Sequence, residues 1–276
     1  MLKNEKEKIH NPKKLKRLYK TVLLKLKCAF IEIEIERRFL FSLVTHYIAF
    51  QNQKPSVTPC ILVTMHNRSN PVATTNVVNY TTSSNTYDLY DVTFENRTIH
   101  TQVTPNSSEV DRWLSSNAGR RLGLLVGLDV EWRPNTHPNR RNPIATLQLC
   151  VGHACLIFHI INSRFIPRSL VSFLQDPNVT FLGVGIRADA DKLLEDYGLN
   201  VVNVCDLRSL AERRVPHLMH AGLKMLCLHV LGVEVEKPQS VTRSLWDNPQ
   251  LTPEQVKYAA IDAFLSYEIG RLLMGR

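Results

Sequence analysis

Leu124-Leu125-Val126-Gly127-Leu128-Asp129-Val130-Glu131 is the stretch from which the rest of the chain is read. Its apolar start and acidic end describe a buried strand, Leu124–Val130, that finishes on charge. Side chains two apart on a strand share a face, so the carboxyls of Asp129 and Glu131 stand side by side. A cation relieves their repulsion, and oxygen ligands suit Mg²⁺ or Mn²⁺. Alone, an acid pair at this spacing more often just marks a solvent-facing strand end.

Downstream of this strand, the apolar runs Ala145–Val151 and Ala154–His159 flank Gly152-His153 and predict a tight hairpin. Upstream, Tyr90–Phe94 and Thr98–Val103 alternate around Glu95-Asn96-Arg97, another antiparallel pair. Between the two hairpins Ser108, three residues before Asp111, begins an amphipathic helix with Val110, Trp113 and Leu114 on one face. Then the pattern changes to βαβ alternation: helix Leu170–Leu174, strand Val179–Val184, helix Ala188–Tyr197 closed by Gly198, and short strand Val201–Cys205. Leu223–Leu231, stopped by Gly232, and a final helix from Pro253 complete it. The expected fold is a mixed α/β domain, antiparallel strands first and parallel strands later, flanked by helices.

The 276 residues include 44% hydrophobic and 21% charged side chains, enough for one sizeable core plus additional material. Of the net charge of +9, residues 1–27 carry +8, residues 28–85 carry +1, and residues 86–276 carry none. Overall basicity is therefore no argument that the folded part binds nucleic acid. Residues 1–63 read as a basic and apolar extension, 64–86 as a disordered linker rich in Thr, Asn and Ser, and 87–276 as the folded domain. The extension could strengthen DNA or RNA binding, serve as a nuclear localisation signal, or be a disordered or wrongly predicted first segment. Cys28, Cys60, Cys150, Cys155, Cys205 and Cys227 form no C-x-x-C pair, which fits buried reduced thiols in the nucleus or cytoplasm. Phe39–Phe50 is too short and too polar to span a bilayer, no signal peptide is expected, and the N-x-Ser/Thr sequons carry no weight.

Two further signals lie in the later half. Gly183-Val184-Gly185-Ile186-Arg187-Ala188-Asp189 joins a strand to a helix through glycines that permit close approach, with an acid in the first helical turn. It lacks the third glycine of a dinucleotide-binding loop. Tyr258 and Asp262, four apart on the last helix, project from one face. Each signal alone has an ordinary reading: loop glycines, a core tyrosine, an exposed acid.

Together and in this order they resemble the DEDD family of 3′→5′ exonucleases, and the Tyr four residues before the last acid marks the DEDDy branch. The histidine branch would need His where Lys257 stands. Gly127–Trp132, Ala145–Cys150, Gly183–Ile186 and Tyr258–Ala263 are similar to the Werner syndrome-like exonucleases, including the free-standing plant type. The resemblance spans about Tyr87 to the C-terminus and implies a ribonuclease H-like fold. It also implies two metal ions held by Asp129, Glu131, Asp189 and Asp262, with Tyr258 orienting the attacking water. A nucleic acid with a free 3′ end is the implied partner. Arg187, Lys192, Arg133 and Arg243 are candidate phosphate contacts, and Trp132 and Trp246 candidate stacking platforms. Two other readings remain open at this point: a non-catalytic nucleic-acid-binding module, and an RNA-trimming enzyme like ribonuclease D.

Overall fold

Eight strands of one mixed sheet organise the molecule, a computed structural model that describes residues 71–80, 86–119, 122–136, 141–213 and 215–276. The expectations for residues 1–63, including Cys28, Cys60 and the basic segment, lie outside the described residues. The strands are β1 (Thr75–Tyr80), β2 (Asp88–Phe94), β3 (Arg97–Thr104), β4 (Leu124–Glu131), β5 (Thr146–Val151), β6 (Ala154–Phe158), β7 (Val179–Gly183) and β8 (Val204–Asp206). Their order across the sheet is β1-β2-β3-β6-β5-β4-β7-β8. The first three pair antiparallel, β4, β5 and β6 pair antiparallel, and β3–β6, β4–β7 and β7–β8 are parallel.

The helices divide between the two faces. On one lie α1 (Ser107–Asn117), α2 (Arg168–Leu174) and α3 (Ile186–Tyr197), packed on Leu124, Val126, Leu128 and Val130. On the other lie α4 (Leu207–Glu212), α5 (Leu223–Leu231), the single turn α6 (Gln239–Thr242) and the long α7 (Pro253–Leu273). Alternation along β4 sends Leu125, Gly127, Asp129 and Glu131 to this second face. Helix α7 is buried on most sides because the sheet is beneath it and α4 and α5 lie against it; Phe264 alone, 1% exposed, contributes about 1.5–3 kcal/mol by leaving water. Thr252 and Gln255 form a reciprocal capping box at its start, worth about 1 kcal/mol.

Four local expectations are corrected. The stretch read as a disordered linker contains β1, whose backbone pairs with β2 from Thr75↔Phe94 to Tyr80↔Leu89. Its side chains are mostly exposed, so no alternation betrays it, while the β-branched residues of Thr-Asn-Val-Val-Asn-Tyr suit a strand. The first helix is capped by Asn106, not Ser108: the Asn106 Oδ1 accepts the Ser108 N–H at 2.9 Å. The strand placed at 201–205 is Val204–Asp206, and the helix begun at Ala188 starts at Ile186, directly after Gly185 in the left-handed region at φ 72°.

Candidate active site

Strand β4 and helix α7 meet where neither has a side chain to spare. A Cβ on Gly127 would stand 2.0 Å from the Ala263 carbonyl oxygen, so the helix crosses the strand on its backbone. Two residues beyond Gly127 is Asp129, and next to Ala263 is Asp262. The contact thus delivers acids from distant parts of the chain to one place. One carboxylate oxygen from each of Asp129, Glu131 and Asp262 lies within 4.8 Å of the others.

Asp189 reaches the same region by a different route. Parallel pairing of β4 and β7 aligns their C-terminal ends. The turn after β7 is tight: a Cβ on Gly183 would meet the Leu128 carbonyl oxygen at 2.9 Å. Asp189 then stands in the first turn of α3 and is outside the three-acid cluster, although its charge raises the pKa of both Asp129 and Glu131.

Burial first, and then the charges of Asp262 and Asp189, push the Asp129 carboxyl well above its usual range; Lys237 only partly offsets them. Glu131 is pushed up to about 10 by burial and by Asp129 and Asp262. Asp189 is pushed up to about 7 by burial and the charge of Asp206. Oδ2 of Asp129 is buried with no hydrogen-bond partner. An unpaired buried carboxylate oxygen is costly, and a set of hard oxygen donors satisfied by a divalent cation removes that cost. The donor set fits such an ion.

Two features went unforeseen in the sequence. Lys237, on the loop between α5 and α6, places its Nζ 2.5 Å from Asp262 Oδ2 and 5.3 Å from the centre of the Tyr258 ring. Burial is the largest single influence and disfavours its ammonium, but the charge and hydrogen bond of Asp262, joined by the charges of Asp129 and Glu131, together outweigh it and hold its pKa above the usual value. Asp206, at the end of β8, accepts from the Gly185 N–H at 3.1 Å and from Arg208 through both backbone and guanidinium. It thereby braces the turn that precedes Asp189. Neither residue lies in a periodic segment; the only sequence hints are the charged Glu234-Val235-Glu236-Lys237 string and the Asp206-x-Arg208 spacing.

Tyr258 is packed 6.1 Å, centre to centre, from Trp246. Burial, then the neighbouring Asp262, Glu131 and Asp129, raise its pKa, so its hydroxyl stays protonated at neutral pH.

The expected nucleic-acid contacts separate into two groups. Arg187 and Arg243 are exposed, and neither has an ion-pair partner among the described residues. Arg133 pairs with Asp247 at 3.2 Å. Lys192 is not a phosphate contact: it is 8% exposed, paired with Asp196 at 2.9 Å, donating to the Asn142 carbonyl, and seated 5.1 Å over the Trp132 ring. Asp196 in turn accepts the Ile144 N–H, so this network fastens the approach to β5. Trp246 is 0% exposed and cannot stack on a base; its indole belongs to the core. Trp132 is half-buried against the opposite core and Lys192.

A sequence model of the family described as 3′-5′ exonuclease matches residues 102–274. The chain is 36% identical over 155 residues to the bifunctional 3′-5′ exonuclease/ATP-dependent helicase WRN of Mus musculus, covering 55% of this chain and 11% of that protein. It is 31% identical over 175 residues to a 3′-5′ exonuclease of Arabidopsis thaliana, covering 63% of this chain and 60% of that one. It therefore spans less than two-thirds of either relative. The crystal structure of the Aedes aegypti Nibbler EXO domain superposes with a TM-score of 0.54 at 20% identity, over 63% of this chain and 86% of that one, and carries the same ribonuclease H-like arrangement. With the family match covering most of the chain, and the mixed sheet gathering acids at one end of β4, this protein belongs to the 3′-5′ exonuclease family.

Proposed function

We propose that the chain is a divalent-metal-dependent 3′→5′ exonuclease of the DEDDy type, similar to the Werner syndrome-like enzymes, removing nucleotides from the 3′ end of DNA or RNA. One observation carries the reading: the mutually repelling Asp129, Glu131 and Asp262 lie within 4.8 Å of one another, Asp262 buried and the other two half-buried, with an orphaned Asp129 oxygen. Asp129, Glu131, Asp189 and Asp262 would hold two ions, Mg²⁺ or Mn²⁺. Bound there, such ions supply water activation and charge stabilisation at the leaving 3′ oxygen.

The chain's own groups do the rest. The protonated Tyr258 hydroxyl acts as a hydrogen-bond partner that orients water, not as a base. Asp206 and Arg208 hold the Gly185 turn and so fix the start of α3 relative to β4. Exposed Arg187, two residues before Asp189, is assigned to contact the phosphate backbone, its position beside that acid and its exposure supporting the assignment.

The test is a 3′-labelled oligonucleotide, in DNA and RNA forms, incubated with and without Mg²⁺ or Mn²⁺. Metal-dependent release of mononucleotides is the expected result. No release from either polymer, with the protein folded, would overturn the reading.

A further inference from the structure

Residues ahead of the family-matched region reach the carboxylate site. The Ala73 N–H donates to the Glu234 carbonyl at 2.7 Å, the Glu234 N–H donates to the Pro71 carbonyl at 2.9 Å, and Val72 and Glu234 form a parallel bridge. This arm is anchored a second time, where the Thr74 N–H donates to Glu95 Oε1 at 2.7 Å and the Glu95 N–H returns a bond to the Thr74 carbonyl at 2.8 Å. Glu234 itself is clasped by Lys224 through an ion pair at 2.5 Å. Three residues beyond it, Lys237 lies on Asp262. Ala73 and Thr75 also wall a cleft of about 150 Å³ that reaches Lys257, Tyr258 and Asp262. Arm, loop and acid are mechanically continuous.

A lysine on an unpaired loop would lose side-chain and backbone freedom each time it met Asp262, and a strand-like clamp at Glu234 removes part of that loss in advance. We propose that the segment Pro71–Thr75 is a working part of the carboxylate site: by pinning Glu234 it holds Lys237 on Asp262, and so sets how readily the cluster admits a divalent cation. The inference rests on the metal reading above. Lys237 is a positioning residue and a resident countercharge. A cation approaching Asp262 must displace its ammonium from Oδ2 and overcome like-charge repulsion.

The experiment is Mn²⁺ titration of the full chain by calorimetry, without nucleic acid, for the parent, Ala73→Pro, Lys237→Met and their combination. Proline deletes the Ala73 donor. Each single variant is expected to tighten Mn²⁺ binding about tenfold, within the usual range for coupled sites, and the combination to be no tighter than Lys237→Met alone. Tightening is the informative direction, because mere loss of structure weakens binding. Unchanged or weaker binding in Ala73→Pro, or effects that add in full, would overturn the proposal. Should Ala73→Pro fail to fold, Val72→Gly with Ala73→Gly keeps every donor but loosens the arm. It should shift the affinity the same way by a smaller factor, and an unshifted affinity sinks the idea. A parent that binds no Mn²⁺ overturns the metal reading and this proposal with it. A parent that binds Mn²⁺ and loses it in Asp129→Asn, while the arm variants change nothing, overturns the arm alone.

Discussion

Gly127 and Ala263 touch backbone to backbone: a Cβ on the glycine would stand 2.0 Å from the alanine carbonyl oxygen and 2.7 Å from the Tyr267 amide nitrogen. No side-chain rotation can relieve that overlap. Gly127→Ala should therefore cost about 3 kcal/mol or more, at the upper end of overpacking effects, by pushing α7 off β4. Gly270→Ala meets the Leu182 side chain rather than backbone, a group that can shift, and should cost less. Denaturant midpoints of the two variants check the order; a reversed ranking would contradict the contact.

Removing one charge from the cluster should separate activity from stability. Asp129→Asn is expected to abolish metal-dependent cleavage, yet the metal-free variant should melt at or above the parent temperature, because a buried repulsion is relieved. Tyr258→Phe should retain weak residual activity. Full activity in either variant refutes the assigned roles.

The raised carboxyl pKa values predict a stability that falls with rising pH. Glu131 titrates near 4.5 when unfolded and at about 10 when folded, and Asp129 is shifted in the same direction. The folded state holds these protons more tightly, so the contribution is full below the unfolded values and is lost as pH climbs through the folded ones. Buried His159, with its pKa lowered by burial, opposes this only at pH below its ordinary value, and Asp206 and Glu268, held low by Arg208 and Arg271, act only in acid. Between about pH 7 and 8.5 the metal-free protein should therefore lose thermal stability, and added Mg²⁺ or Mn²⁺ should flatten the trend. A flat metal-free profile would count against it.

Lys192 and Arg187 should behave oppositely. Lys192→Met leaves Asp196 without its buried partner and should cost about 3 kcal/mol while leaving the salt dependence of oligonucleotide binding unchanged. Arg187→Ala should change stability by no more than about 0.5 kcal/mol, weaken binding, and lower the log–log salt slope by about 1. Equal salt slopes for both variants would remove Arg187 from the interface.

Elements that announce themselves by period or cap were legible: β4 from its apolar run, α5 from its Gly232 stop, α7 from Pro253 onward. The settings of Asp129 and Glu131 at a strand end and of Asp262 on a helix face were local too, and the fold brings these three together. What depends on chain brought together from afar was not. Lys237 meets Asp262 only through tertiary packing, and β1 hides its pairing behind exposed side chains. Trp246 lies ahead of the helix that carries Tyr258, and Lys192 stands three residues after Asp189, but position along the chain does not tell which way a side chain turns. One is sunk in the core and the other in an ion pair.

The crossing of α7 over Gly127 also sets an order in time. During synthesis, Asp129 and Glu131 leave the ribosome with β4, and Asp189 follows with α3, but Asp262 comes only with α7. Until that helix emerges and docks, the nascent chain lacks an acid of the cluster and carries an uncovered glycine groove. The three-acid cluster is therefore complete only once α7 has docked on β4, however early its first two members are made.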